Sequence, residues 1–281
     1  MHSISLGPVG LSIDYAFIWA TLLLAWGNCY LLTRRKDHAQ VRYQLASNVL
    51  FSAFAVGFFC ARAGFVVTQW QYFNNDVLAM LDVRDGGFAM EFGFIASVLL
   101  VSISIHRHPD IRATLLWSGL ITSAIMLPLY IAVSLSQRSE IMPTPRVVSL
   151  SGNPVSLADF QDKPLVINFW ATWCPPCRRE MPALARAQQH NPDIHIVLIN
   201  QSESADDVSA FLTEQDWQIS NVLMDHTGSV SREFGVAVLP TTLFYSPDGN
   251  LVYRHIGGMS DASLAKALDA LHAGQQEQNQ E

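Results

Sequence analysis

Four long apolar runs fill the first half of this chain, at about residues 11–32, 46–67, 86–105 and 113–135. A run of about 22 residues rises ~33 Å as a helix, enough to cross the hydrocarbon core of a bilayer. Lipid offers no partner to a backbone N–H or C=O, so such a run folds as a helix that satisfies its own backbone. The first run makes a poor cleavable signal: no Lys or Arg precedes it and no Ala-x-Ala spacing closes it. Pro128 lies inside the fourth run, where neighbouring helices can satisfy the carbonyl it frees. Residues 1–135 are therefore expected to form a four-helix, multi-pass membrane domain embedded in a lipid bilayer.

Basic residues in the short loops set the expected orientation. Arg34, Arg35, Lys36 and Arg42 follow the first run, and Arg107 and Arg112 follow the third. The loop after the second run has Arg84 against Asp76, Asp82 and Asp85. Loops one and three then face the cytoplasm, and both termini lie outside it. Arg62 and Glu91 are ionisable groups in or at the edge of spans, expected to snorkel to an interface or to pair with each other. Cys29 and Cys60 sit at depths ~17 Å apart on a helical rise, too far for a disulfide, and are expected to act as small packing residues.

Residues 136–145 read as a linker, 146–272 as a soluble domain and 273–281 as a disordered Gln/Glu-rich tail. Charge divides at the same place. Residues 1–140 carry 9 Lys/Arg and 8 Asp/Glu, net +1; residues 141–281 carry 8 and 16, net −8. No block is basic enough for nucleic acid. In the soluble part, a hairpin is expected around Ser151–Pro154, and a buried strand at Pro164–Trp170 leading into a helix from Arg178 to Gln189. A strand at Ile194–Ile199, a helix at Ala205–Trp217, a strand at Val222–Met224 and a short helix at Ser229–Phe234 follow. A second hairpin turns on Ser246-Pro247-Asp248-Gly249, and a last helix covers Asp261–His272. Strands alternating with helices predict an α/β domain with a mixed central sheet and helices on both faces.

The chemistry lies in Phe169-Trp170-Ala171-Thr172-Trp173-Cys174-Pro175-Pro176-Cys177. Two cysteines separated by two residues, between an apolar strand and a helix, read as a redox pair rather than a disulfide scaffold. The first sulfur falls at a helix N-terminus, where N–H groups and the helix dipole favour a thiolate. That thiolate attacks a disulfide and the second thiol resolves the mixed disulfide. Cys174 is the expected attacking group and Cys177 the resolving one. Pro176 has no N–H, so the Cys177 amide is the donor left for the Cys174 sulfur. Fewer donors leave the thiolate less stabilised, which leans toward a reductant or an isomerase of intermediate potential. Trp173 is expected to pack against the motif and shield it. A zinc site would need a second ligand pair; this half has no other Cys, and His190, His195, His226, His255 and His272 are not spaced as ligands. They are expected to be scattered surface residues. No metal or other cofactor is expected.

These residues, with Arg178-Arg179-Glu180-Met181-Pro182 and Gly235-Val236-Ala237-Val238-Leu239-Pro240-Thr241-Thr242, resemble the thioredoxin-like fold. More narrowly they resemble the membrane-tethered extracytoplasmic thiol–disulfide reductases of the TlpA/ResA/CcmG group, over residues 143–272. The resemblance implies a cis Pro240 beside Cys174, with Leu239 and Thr241 flanking it and pairing with an extended substrate segment. It implies that Glu180 is a site residue; we expect it to tune the thiols or accept the proton of Cys177. The position that is a buried Asp in ordinary thioredoxin is Asn168 here, and an amide cannot relay a proton. The resemblance also implies a bacterial inner membrane protein that acts on disulfide-containing extracytoplasmic proteins. A separate DsbD/CcdA-type membrane electron donor is expected, because this chain offers no paired intramembrane cysteines. An oxidant or isomerase of the same compartment is the alternative.

The membrane half resembles the first half of prolipoprotein diacylglyceryl transferase at Ser5–Val9, Ala61–Val66 and Asp85–Gly93. The place of that family's histidine is taken by Glu91 or its neighbour, its later Gly-Arg-x-Gly-Asn segment has no match, and the fourth run has no Arg. A borrowed scaffold is expected, with a lipid-modifying transferase carrying an accessory redox domain as the lesser alternative.

Overall fold

The computed structural model describes residues 3–6, 9–35, 37–73, 76–136, 141–215 and 217–278. The chain forms two compact units. One holds residues 14–83 and 87–136; the other holds residues 137–281 with the short segments 1–13 and 84–86. Two antiparallel strands, β1 (Ser3–Leu6) and β2 (Val9–Ser12), come first in the chain.

The helices of the first unit are α1 (Ile13–Thr33), α2 (Ala39–Thr68), the five-residue α3 (Val77–Leu81), α4 (Met90–Arg107) and α5 (Pro109–Ser136). Four of them, α1, α2, α4 and α5, are long and apolar enough to cross a membrane. Pro128 lies within α5 without ending it. Helices α2 and α4 meet through small residues. A Cβ on Gly57 would stand 3.1 Å from the Gly93 carbonyl oxygen, and one on Gly93 would stand 2.6 Å from that of Gly57. Backbones this close leave room for glycine alone, as at tight helix crossings in lipid. Ser97 Oγ donates to the Ala53 carbonyl across the same contact at 2.9 Å. Helices α1 and α5 are tied by Asn28 Nδ2 to Thr122 Oγ1 (3.1 Å) and by Ser118 Oγ to the Ala25 carbonyl (2.9 Å).

Helix α4 starts four residues later than the apolar run, because Gly87 and Phe88 stay non-helical. The Ala89 N–H donates to the Ala61 carbonyl of α2 at 2.9 Å, and a Cβ on Gly87 would meet the Phe65 ring at 2.2 Å. Arg62 departs from the expected snorkelling. It is buried, and its guanidinium donates to the carbonyls of Met80, Ala79, Asp82 and Gly87 at 2.8–3.1 Å, between the rings of Phe65 and Phe73. The last carbonyls of α3 and those of the segment after it, which no following helical turn claims in full, supply the acceptors. Glu91 is exposed in the first turn of α4. Cys29 and Cys60 carry free thiols, and Cys29 packs with Ala46, Val49, Ile111 and Leu115.

The second unit contains β3 (Arg146–Ser149), β4 (Pro154–Ser156), β5 (Leu165–Trp170), α6 (Pro175–His190), β6 (His195–Gln201), α7 (Ala205–Thr213), β7 (Val222–Asp225), α8 (Ser229–Glu233), β8 (Thr241–Tyr245), β9 (Leu251–Ile256) and α9 (Asp261–Gln278). They form a seven-stranded sheet in the order β4-β3-β7-β6-β5-β8-β9. β5, β6 and β7 are parallel; β8 and β9 at one end and β3 and β4 at the other run antiparallel to their neighbours. β5 is central and wholly buried, and its period-2 alternation feeds two cores. Val166 and Trp170 join the cluster under α6, α7 and α9. Leu165, Ile167 and Phe169 join the cluster on the opposite face, with Leu157, Val230 and Phe234.

Helix α7 ends at Thr213, four residues short of expectation. There the chain turns and sets Trp217 edge-on against Phe211. Helix α9 runs six residues beyond His272, into the stretch expected to be disordered; Ala, Gln and Glu are good helix formers. Residues 137–140 of the expected linker and 279–281 of the tail lie outside the described residues.

Candidate active site at the head of helix α6

β5 ends at Trp170, and the chain turns through Ala171, Thr172 and Trp173 to deliver Cys174 as the N-cap of α6. Pro175 and Pro176 occupy the first two helical positions, where a missing N–H is harmless. The Cys177 N–H donates to Cys174 Sγ at 3.3 Å. Cys174 and Cys177 are joined as a disulfide with their Cα atoms 5.3 Å apart. Both are buried, Cys177 completely.

Glu180 stands one turn beyond Cys177, on the same side of α6. Its carboxyl group is 2% exposed. Oε1 accepts from Asn168 Nδ2 at 2.7 Å and Oε2 from the Met259 N–H at 2.8 Å. Burial outweighs these two bonds and pushes the carboxyl up to about 8. Glu180 therefore holds a proton at neutral pH, within a turn of the buried thiol.

Asn168 takes up the position beneath it. Its Nδ2 also donates to Thr242 Oγ1 at 2.9 Å, while its Oδ1 is buried with no hydrogen-bond partner among the described residues. Turning the amide over would offer Oδ1 to a protonated Glu180 and to the Thr242 hydroxyl. The amide relays no proton itself but can follow the one on Glu180. Asn168, Thr242 and His255 are directly opposed across β5, β8 and β9. His255 is buried, not on the surface as the sequence suggested; burial pulls it down to about 4, so it is neutral at neutral pH. Its Nδ1 meets the Tyr253 hydroxyl at 3.1 Å. Cross-strand register, invisible in a single sequence, builds this buried polar row.

The Leu239–Pro240 peptide is cis. Thr241 pairs with Phe169, so Leu239 and Pro240 lie past the end of β5, where the chain leaves for Cys174. Leu239 is half-buried against the cluster that contains Cys174. Thr241 Oγ1 donates to the Val238 carbonyl at 2.7 Å, and the Gly257 N–H donates to the Pro240 carbonyl at 2.9 Å. Trp173 corrects another expectation: it is 68% exposed and is not packed into the core. The turn that carries it directs the indole away from the core that Trp170 already fills. Among the described residues no three His, Cys, Asp or Glu side chains converge as a metal site.

Comparison with known proteins points to the same chemistry. The family model for Redoxin matches residues 137–271. Thioredoxin-like protein YneN of Bacillus subtilis is 33% identical over 137 residues, 47% of this chain and 79% of that protein. The chain belongs to the thioredoxin-like thiol–disulfide oxidoreductases. Thiol-disulfide oxidoreductase ResA of Bacillus subtilis is 29% identical over 127 residues, covering 44% of this chain and 70% of that one. Thiol:disulfide interchange protein HelX of Rhodobacter capsulatus is 32% identical over 122 residues, covering 43% and 68%. The family model for Prolipoprotein diacylglyceryl transferase matches residues 3–133. The oxidoreductase is thus preceded in the same chain by a lipid-enzyme-like membrane region.

Proposed function

We propose that this membrane-anchored oxidoreductase reduces disulfides of extracytoplasmic proteins. The reduced Cys174 thiolate attacks one substrate sulfur, forms a mixed disulfide and expels the other sulfur as a thiolate. Cys177, deprotonated, attacks Cys174 Sγ; the Cys174–Cys177 bond forms and the second substrate sulfur leaves. Two electrons pass to the substrate; of its two sulfurs one is protonated at the expense of Cys177 and the other from solvent, which holds the proton Cys174 gave up on ionising. Glu180 sits one turn from Cys177 and binds its proton about as tightly as a thiol does, so in its ionised form it takes the Cys177 proton and in its protonated form it returns one. Trp173, Leu239, Pro240 and Thr241 are the residues we assign to meet the substrate segment around the attacked sulfur.

The observation that carries the reducing direction is the donor set at Cys174. With Pro175 and Pro176 at the helix start, the Cys177 N–H reaches the disulfide-bonded Cys174 Sγ, and the same N–H is the donor left for a thiolate there. A thiolate held by few donors is a poor leaving group, so the disulfide made from it is hard to reduce and the dithiol that forms it is a good reductant. The basic loops after the first and third spans support an extracytoplasmic placement of the redox unit. Electrons then come from a separate membrane carrier of the DsbD/CcdA type. The membrane region serves as anchor, since the fourth span has no Arg for a transferase centre.

Equilibrating the full chain with graded thiol–disulfide buffers gives the potential of the 174–177 pair. A value well below the poise of an oxidising compartment is expected; a value well above it overturns the reductase reading in favour of an oxidant.

A further inference from the structure

The turn that delivers Cys174 is held by a residue far outside the motif. The Cys174 N–H donates to the Ala171 carbonyl at 3.2 Å and closes the turn. Its two central residues are Thr172, half-buried, and Trp173, exposed. Both polar groups of Thr172 meet a single carboxylate, that of Glu203, 31 residues on. The Thr172 N–H donates to Oε2 at 2.7 Å and the Thr172 hydroxyl bonds Oε1. Asn200 Nδ2 donates to the same Oε2 at 2.6 Å.

The backbone around Glu203 is built to aim it. Ser202 adopts φ 62°, a left-handed conformation that costs any residue with a Cβ. Its N–H is tied to the Asp225 carbonyl at 2.9 Å. His226 Nδ1 lies 3.0 Å from the Glu203 carbonyl oxygen. Ser204 caps α7 through the Asp207 N–H at 3.1 Å. Glu203 is therefore fixed on both sides, between the end of β6 and the start of α7.

A loop tie needs no charge, and a neutral acceptor would join two strand ends equally well. Here three donors converge on one carboxylate, and charge-assisted bonds of this kind are short and stiff. The turn so stiffened carries a large indole into water, next to the sulfur that attacks. Tryptophan, with a large apolar face and an N–H at its edge, is the kind of side chain that protein contact surfaces use as an anchor.

We propose that Glu203 is a positioning residue for partner recognition. Its carboxylate clamps Thr172, so that Trp173 stands outward beside Cys174 and meets the apolar flank of a protein disulfide. Glu203 touches neither sulfur. The proposal rests on the oxidoreductase reading and deepens it.

The test uses the reduced full chain in detergent with two disulfide probes: insulin, which has flanks for Trp173 to meet, and the small aromatic disulfide 5,5′-dithiobis(2-nitrobenzoate), which has no peptide. Glu203→Gln keeps the volume but turns an amide against one of the donors. Thr172→Val keeps the amide and removes the hydroxyl. We expect Glu203→Gln to lower the insulin rate at least tenfold and the small-disulfide rate less than twofold, with Thr172→Val between wild type and that value. The equilibrium constant of the pair with glutathione changes less than twofold. Adding Glu203→Gln to Trp173→Ala lowers the insulin rate no further than Trp173→Ala does. Equal loss on both probes, a moved glutathione equilibrium, or multiplicative loss in the double variant overturns the proposal. If Glu203→Gln does not accumulate folded, Thr172→Val decides, and an unchanged ratio of the two rates overturns it. A wild-type chain inactive on both probes would sink the oxidoreductase reading instead.

Discussion

Replacing Glu180 by Gln tests whether the buried carboxyl group governs the pH dependence of the redox unit. In the folded chain Glu180 keeps its proton up to about pH 8, whereas an ordinary glutamate loses it near 4.5. Between those values the folded state binds one proton more than the unfolded chain. Stability is therefore full below about 4.5, falls as pH rises through the window, and levels above about 8. At about 1.4 kcal/mol per pH unit, the gap sets a ceiling of about 5 kcal/mol on the loss. At 2% exposure, solvent screening does little to reduce it. Gln carries no charge to desolvate. Its oxygen can accept from the Met259 N–H, and its amide can donate to Asn168 Oδ1 once that side chain turns over. The variant should match wild type at pH 5 and exceed it at pH 8 by a large part of that ceiling. Pulse proteolysis in urea, read on the fragment from residues 137–281, follows this unit in the full detergent-solubilised chain. Parallel, flat profiles for wild type and variant would refute the reasoning, because the buried proton would then carry no free energy.

Three further outcomes follow from the packing. Asn168→Asp sets a second carboxyl group against Glu180; like charges at this range hold one of them protonated, so the fall in stability between pH 5 and 8 should steepen relative to wild type in the same assay. Arg62→Ala strips the guanidinium from the carbonyls of Ala79, Met80, Asp82 and Gly87. At about 1–3 kcal/mol for a buried group left unmade, the loss should exceed about 3 kcal/mol and appear as faster proteolysis within residues 76–87. Gly93→Ala drives a methyl group to 2.6 Å from the Gly57 carbonyl oxygen, and should destabilise the membrane unit by about 1–3 kcal/mol in detergent unfolding; an unchanged midpoint would show that α2 and α4 do not meet there.

The site was legible in the sequence wherever chemistry and local geometry coincide. Cys174, Cys177 and the strand–turn–helix that carries them follow from spacing and from an apolar run of strand length. Glu180 was legible as a neighbour, because helical periodicity places i+3 on the same side. Its proton was not, since that depends on total burial, which outweighs the opposing bond from the Met259 N–H, 79 residues away. Trp173 and His255 were misread for the same reason in opposite directions. An aromatic beside a cysteine looks like core and stands in water; a histidine in an edge hairpin looks exposed and is buried opposite Thr242.

By itself the sequence determined what short-range physics dictates. Lipid forces four apolar runs into helices, prolines at a helix start leave one amide for a sulfur, and alternation along Leu165–Trp170 divides two cores. Tertiary structure alone decided the rest: which carboxyl group keeps a proton, which loop accepts Arg62, and which glutamate steadies the turn before Cys174. Each of those depends on the dielectric and the partners at a point in space, and residues such as Asn168 and Thr242, 74 apart in the chain, share that point only after folding.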